Sequence, residues 1–103
     1  MDDERLQELI NEATVDCYGE KEAFWGILAT LDDELNFPLK ATLIGERIEL
    51  IGLDSNESSS RRGVVARIRH KGKEYSVSLA DLQMEDADSH SAEWLAAYRF
   101  WFQ

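Results

Sequence analysis

The chain has 103 residues, 44% of them hydrophobic, with three Trp, three Tyr and four Phe, which is the make-up of one folded domain over residues 1–103 with a core of its own. Twenty-one acids against eleven Lys and Arg give a formal charge of −10, a sign that repels nucleic acid phosphates and anionic lipid and attracts metal ions or basic partners. No apolar run reaches the ~18 residues needed to span a bilayer. The opening MDDER lacks the charged-then-apolar plan of a secretion signal, so cytoplasmic residence is expected.

From Asp3 to about Tyr18 the apolar positions Leu6, Leu9, Ile10, Ala13 and Cys17 recur at helical spacing, with acids in the first turn where they suit the dipole. The spacing predicts one amphipathic helix and places Cys17 on its buried stripe. A lone cysteine excludes an internal disulfide and gives no zinc pattern. After Gly19, the series Ala23, Phe24, Ile27, Leu28, Leu31 and Leu35 predicts a second helix, which Pro38 bars from continuing.

The period then changes. LKATLIG and ERIELIGL are short, rich in Leu, Ile and Thr, and punctuated by Gly45 and Gly52, a hairpin pattern in which Ile48, Leu50 and Gly52 share one face and Glu49, Ile51 and Leu53 the other. DSNESSSRR reads as an exposed loop. GVVARIRH alternates Val64, Ala66, Ile68 and His70 against Val65, Arg67, Arg69 and Lys71, and KGK turns the chain into EYSVSL, a second hairpin. ADLQMEDADS is a connection. From Ser91 onward Trp94, Leu95, Tyr98, Trp101 and Phe102 mark the apolar face of a third helix. The expected fold class is α+β: two N-terminal helices, a small antiparallel SH3-like curled sheet or barrel of four to five strands, and one C-terminal helix.

The chemistry concentrates in LDDELNFPLKA. Asp32, Asp33 and Glu34 stand at a helix end, where the partial negative charge of free carbonyls normally prefers Lys or Arg. Crowded oxygen donors there suit calcium, which takes roughly six to eight oxygen ligands, better than magnesium, whose small shell demands stricter octahedral geometry. Asp32, Asp33, Glu34 and Asn36 do not share one helical face, so a second element must complete the shell. Asp54, Asn56 and Glu57 offer one. Neither stretch is an EF-hand: counting from Asp54, Ser59 stands at the turn glycine and Val65 at the closing Glu, and counting from Asp32, Leu43 stands at the closing position. Glu85 and Asp86 are secondary candidates beside Glu34 and Asn36, while Asp88, Ser89 or Ser91 can cap the last helix.

Other chemistries find less support. Residues 61–73 hold six of the eleven basic residues but no aromatic side chain to stack bases, so Arg67, Arg69 and Lys71 read as a solvated strand face pairing with the protein's own acids, not a nucleic acid site. His70 and His90 lack zinc spacing. No Ser/His/Asp motif, nucleophile elbow or phosphate-cradling glycine loop is present, and no enzyme activity is expected.

VDCYGEKEAFWGILATLDDELNFPLKA, residues 15–41, resembles the cyanobacterial-type calcium-binding protein family CcbP in its aspartate then Tyr-Gly, its acidic and small segment, and its Leu-acid-acid followed by Phe-Pro. ERIELIGLDSNESS, GVVARIRHKGKEYSVSLADL and AEWLAAYRFW are similar to its second strand and acidic loop, its second hairpin and its Trp-containing end. The resemblance implies a small acidic cytoplasmic protein that binds calcium without EF-hands and buffers or sequesters it. It puts the leading ligands on Asp33 and Asp32, and the loop position on Asp54 and Glu57. Leu39 replaces the family's second Phe, and the loop carries two acids among serines where the family clusters acids; fewer carboxylates should lower calcium affinity or remove one site. The alternative from another class is an acidic interaction module that docks a basic protein partner without a specific metal.

Overall fold

The computed structural model describes residues 2–85 and 87–102. Helix α1 spans Asp3–Ala13; the Asp2 side chain accepts the Glu4 amide at 3.1 Å, and Asp3 and Glu4 fill the first turn. It stops at Ala13, short of the expected end near Tyr18. The Thr14 hydroxyl donates to the Ile10 carbonyl at 2.8 Å, and beyond it Val15 and Tyr18 are exposed, so no apolar stripe remains to reward another turn. Cys17 therefore leaves the helix. Half-buried, it packs against Gly26, where an added Cβ would lie 2.9 Å from both its sulfur and the Ala13 carbonyl oxygen.

Helix α2, Glu20–Glu34, buries Phe24, Ile27, Leu28 and Leu31, and ends at the acidic triplet as its sequence implies. The strands are β1 Leu39–Leu43, β2 Glu46–Ser59, β3 Gly63–His70, β4 Lys73–Ser78 and, after a 3-10 turn at Leu79–Asp81, the two-residue β5 Gln83–Met84. All pairings are antiparallel and the order is β4-β3-β2-β1-β5. Among the described residues β4 and β5 are edges, so the sheet is open rather than a closed barrel. Helix α3, Ser89–Trp101, is capped by Asp88, which accepts the Ser91 amide at 2.9 Å.

One face of the sheet meets the helices. Leu39, Ala41, Ile48, Leu50, Val64, Ala66 and Ile68 form a single core with Leu6, Leu9, Phe24, Leu31, Trp94 and Tyr98. The Tyr98 hydroxyl ties α3 to β3 by accepting the buried Val64 amide at 2.9 Å.

The expected loop DSNESSSRR is instead mostly strand. Ser58 is buried; its hydroxyl donates to the Asp54 carbonyl at 2.7 Å and accepts the Val65 amide at 2.8 Å, so β2 stays attached to β3 up to Ser59. The faces of β2 also change partway. Leu50 opposes Ile68, but Gly52 then opposes Arg67 and Leu53 opposes Ala66, leaving Ile51 as the extra residue of a β-bulge. Directly opposed residues share a face, so Leu53 joins Leu50 on the helix side, and Asp54, opposite Val65, turns to the outer side.

Candidate metal centre

Asp32 and Asp33 lie exposed in the last turn of α2, which contains no basic residue. Asp33 and Glu34 line a cleft of about 210 Å³ with Thr30 of α2, Glu12 and Ala13 of α1 and Trp94 of α3. Glu12 brings a third carboxylate to the cleft, from the end of a helix that also has no basic residue in its last turn. Glu34 is hydrogen-bonded to His90 Nε2.

Asn36 holds the end of α2 to the start of α3. Its amide donates to Ser91 Oγ at 3.1 Å, and its side-chain nitrogen donates to Asp88 Oδ2 at 3.2 Å. The Ser91 backbone and hydroxyl bonds, with help from Asn36, hold the Asp88 carboxyl below the usual carboxylate range. Asn36 and Asp88 are thus engaged in fixing the two helices beside the cleft.

The second predicted element is engaged elsewhere. Asp54 Oδ1 accepts the Glu57 amide at 3.2 Å and Oδ2 lies 3.5 Å from Arg67 Nη1. Arg67 also bonds Glu74 at 3.0 Å, and Arg69 pairs with Glu49 and Glu74. The outer face thus carries a ladder of alternating charge, as the basic strand pattern implied, which raises the affinity of Arg67 for its proton and lowers that of Glu74. Glu57 pairs with Arg62 at 3.3 Å and Glu85 with Arg47 at 3.8 Å. Asp86 lies outside the described residues.

The four leading candidates therefore fall in two places. Asp32 and Asp33 stand on the helix side, while Asp54 is on the opposite face of the sheet. Among the described residues no group of three or more Asp, Glu, His or Cys converges to hold a metal ion. The donor chemistry of the cleft, carboxylates with a threonine nearby, suits a hard cation, and three carboxylates line it, but they do not form a finished shell. Sequence spacing missed Glu12. The signal was present, since Glu12 is an acid in a last turn without a compensating base, the same anomaly that singled out Asp33.

A family model described as calcium binding, that of the CcbP proteins, matches residues 7–102. Comparison with curated proteins finds no match. Among solved structures the chain is similar to the crystal structure of Anabaena CcbP, at 22% identity and a TM-score of 0.83, covering 98% of this chain and 90% of that one. It is also similar to a calcium binding protein in the calcium-binding form, at 22% identity and a TM-score of 0.80, with 97% and 90% covered. The backbone likeness extends through the three helices and the five-stranded sheet that carry the acidic cleft, and the family match takes in all but seven of the residues: the chain belongs to the CcbP family of calcium-binding proteins.

Proposed function

We propose that this protein binds calcium through carboxylates outside any EF-hand and acts as a cytoplasmic buffer or sequestering protein without catalytic activity. Asp33 and Asp32 would supply the leading ligands, Glu12 and Glu34 border the same cleft, and Asp54 and Glu57 offer a second position on the outer sheet face. The observation that carries this reading is the meeting of two acidic helix ends, at Glu12 and at Asp33 and Glu34, on one open cleft. Family membership adds its support. A cation there relieves both the mutual repulsion of the acids and their opposition to the helix dipoles.

Calorimetric calcium titration, with magnesium as competitor, tests it. Wild type should bind calcium saturably, Asp33→Asn should lose the cleft's contribution, and Asp54→Asn should alter a separate one. Absence of saturable calcium binding in wild type refutes the reading.

A second reading is favoured by the distribution of charge. Residues 1–38 hold eleven acids and two bases, so the first two helices present a negative surface suited to a basic protein partner. A salt-sensitive complex with a basic peptide, indifferent to calcium and to Asp33→Asn, would support docking over metal binding.

A further inference from the structure

The two hairpin tips share an unusual backbone choice. Ile44 and Gly45 turn β1 into β2 with φ of 50° and 79°, and Lys71 and Gly72 turn β3 into β4 with φ of 51° and 79°. Two-residue turns with both centres at positive φ favour Asn, Asp or Gly at the first position, because a Cβ crowds the left-handed conformation. A β-branched residue is least suited of all. The chain nevertheless puts Ile at one tip, 96% exposed, and Lys at the other.

The tips stand side by side. Glu49 opposes Arg69, and His70 Nδ1 lies 3.2 Å from the Arg47 carbonyl oxygen, so both turns leave the same end of the sheet. Between the hairpins is a cavity of about 420 Å³, floored by the buried core residues Ile48 and Ile68 and opened to solvent by the exposed Ile44 and Tyr75, with Leu43 and Val77 half-buried beside them. The charge here departs from that of the whole chain. Residues 39–84 carry eight of the eleven Lys and Arg against six acids. Three of the acids near the tips are paired with arginines, Glu49 and Glu74 with Arg69 and Glu85 with Arg47, while Glu46 lies 3.8 Å from His70, an ion pair only when that imidazole is protonated. Among the described residues no ion pair holds Lys71 or Lys73.

We propose that the paired hairpin tips dock this protein on an anionic lipid surface. Ile44 enters the headgroup region, Lys71 and Lys73 meet the phosphates, and the apolar wall behind Ile44 lies against the interface. A convex apolar prong flanked by cations suits a deformable anionic surface, whereas a protein partner would need a matching pocket. The net negative charge lies outside residues 39–84, whose eight Lys and Arg outnumber six acids, and ionic screening over ~8–10 Å limits the reach of its repulsion.

Sedimentation of the full chain with mixed phosphatidylcholine–phosphatidylglycerol vesicles, against pure phosphatidylcholine, with chelator present to exclude calcium bridging, tests the proposal. Wild type should pellet with the mixed vesicles alone, and less as salt rises. Lys71→Gln and Lys73→Gln should each weaken partitioning about fivefold, and Ile44→Asn about tenfold. Asn tolerates positive φ, so Ile44→Asn should hold or raise the melting temperature while binding falls, which a merely structural role for Ile44 would not produce. Equal binding to both vesicles, binding to neither, or variants that partition like wild type would overturn the proposal. So would an Ile44→Asn effect seen only in the mass at sedimentation equilibrium, because the occupant would then be a second copy.

Discussion

Replacing Arg67 by Gln separates the two acidic positions. Its guanidinium lies 3.5 Å from Asp54 and 3.0 Å from Glu74, bridging β2 and β4 across β3. The Asp54 side chain is only 14% exposed, while that of Arg67 is 43% exposed, so solvent screens the pair and its worth is that of a surface ion pair. Calcium approaching Asp54 must compete with this resident cation. Surface pairs of this kind correspond to a factor of about two to five in an equilibrium constant, and that is the gain in calcium affinity expected at the outer-face position. Asp33 and the cleft, on the other side of the sheet, should be unaffected. Calorimetric titration of Arg67→Gln in an Asp33→Asn background isolates the outer face. Unchanged or weaker calcium affinity in that background would refute the claim that Arg67 occupies Asp54 in calcium's place.

Tyr98→Phe strands the buried Val64 amide and should cost about 1–3 kcal/mol, a fall of about 10 °C in melting temperature for a domain this size, measured calorimetrically. Gly63→Ala should cost about 2–4 kcal/mol in urea denaturation, because φ is 93° there and a Cβ would lie 2.5 Å from Phe102 and 2.9 Å from the Tyr98 hydroxyl. Stability should fall as pH drops through the ordinary carboxylate range and below it. Glu74, Asp88 and Glu93 all titrate below their usual values in the folded state, held down by Arg67, by the Ser91 bonds and by Arg5 respectively. Their stabilisation is complete above the unfolded pKa and lost as pH falls through the folded one. Melting temperatures across that range check it, and Asp88→Asn should flatten the acid limb.

The order of helices and hairpins was legible because each element satisfies its own period: Phe24, Ile27, Leu28 and Leu31 are all buried at helical spacing, and Val64, Ala66 and Ile68 at strand spacing. What stayed hidden depended on partners distant in sequence. The serine-rich stretch reads as a loop by composition, yet Ser58 satisfies the β2–β3 connection from within. The bulge at Ile51 is marked only by the neighbouring Gly52, a glycine inside a strand that reads equally as the end of one, and the bulge decides which face Asp54 occupies. The candidate site was half legible for the same reason. Asp33 is marked by its local conflict with the helix dipole, but whether Asp54 meets it depends on register, which alternation without the bulge gets wrong by one residue. Glu12 carried the same local mark as Asp33, but only the packing of α1 beside α2 and α3 brings it to the cleft.

That conflict with the dipole yields a test in which stability and binding move in opposite directions. An exposed acid in a last turn without a base destabilises its helix by about 0.3–1 kcal/mol, and Asp33 stands in that position with Asp32 and Glu34 as neighbours. If the charge served the fold, Asp33→Asn would be neutral or harmful without calcium. If the charge serves the ion, Asp33→Asn should raise the melting temperature of the calcium-free protein, by relieving both the dipole and its like-charged neighbours. The same change should shrink the gain on adding calcium, since a ligand that binds only the folded state stabilises it by RT ln(1 + [L]/Kd), about 2.7 kcal/mol at a hundred times Kd. Melting curves of both proteins, with chelator and with calcium, give the four values. A variant less stable than wild type in chelator, yet equally stabilised by calcium, would mean that Asp33 supports the fold and that the cation is held elsewhere.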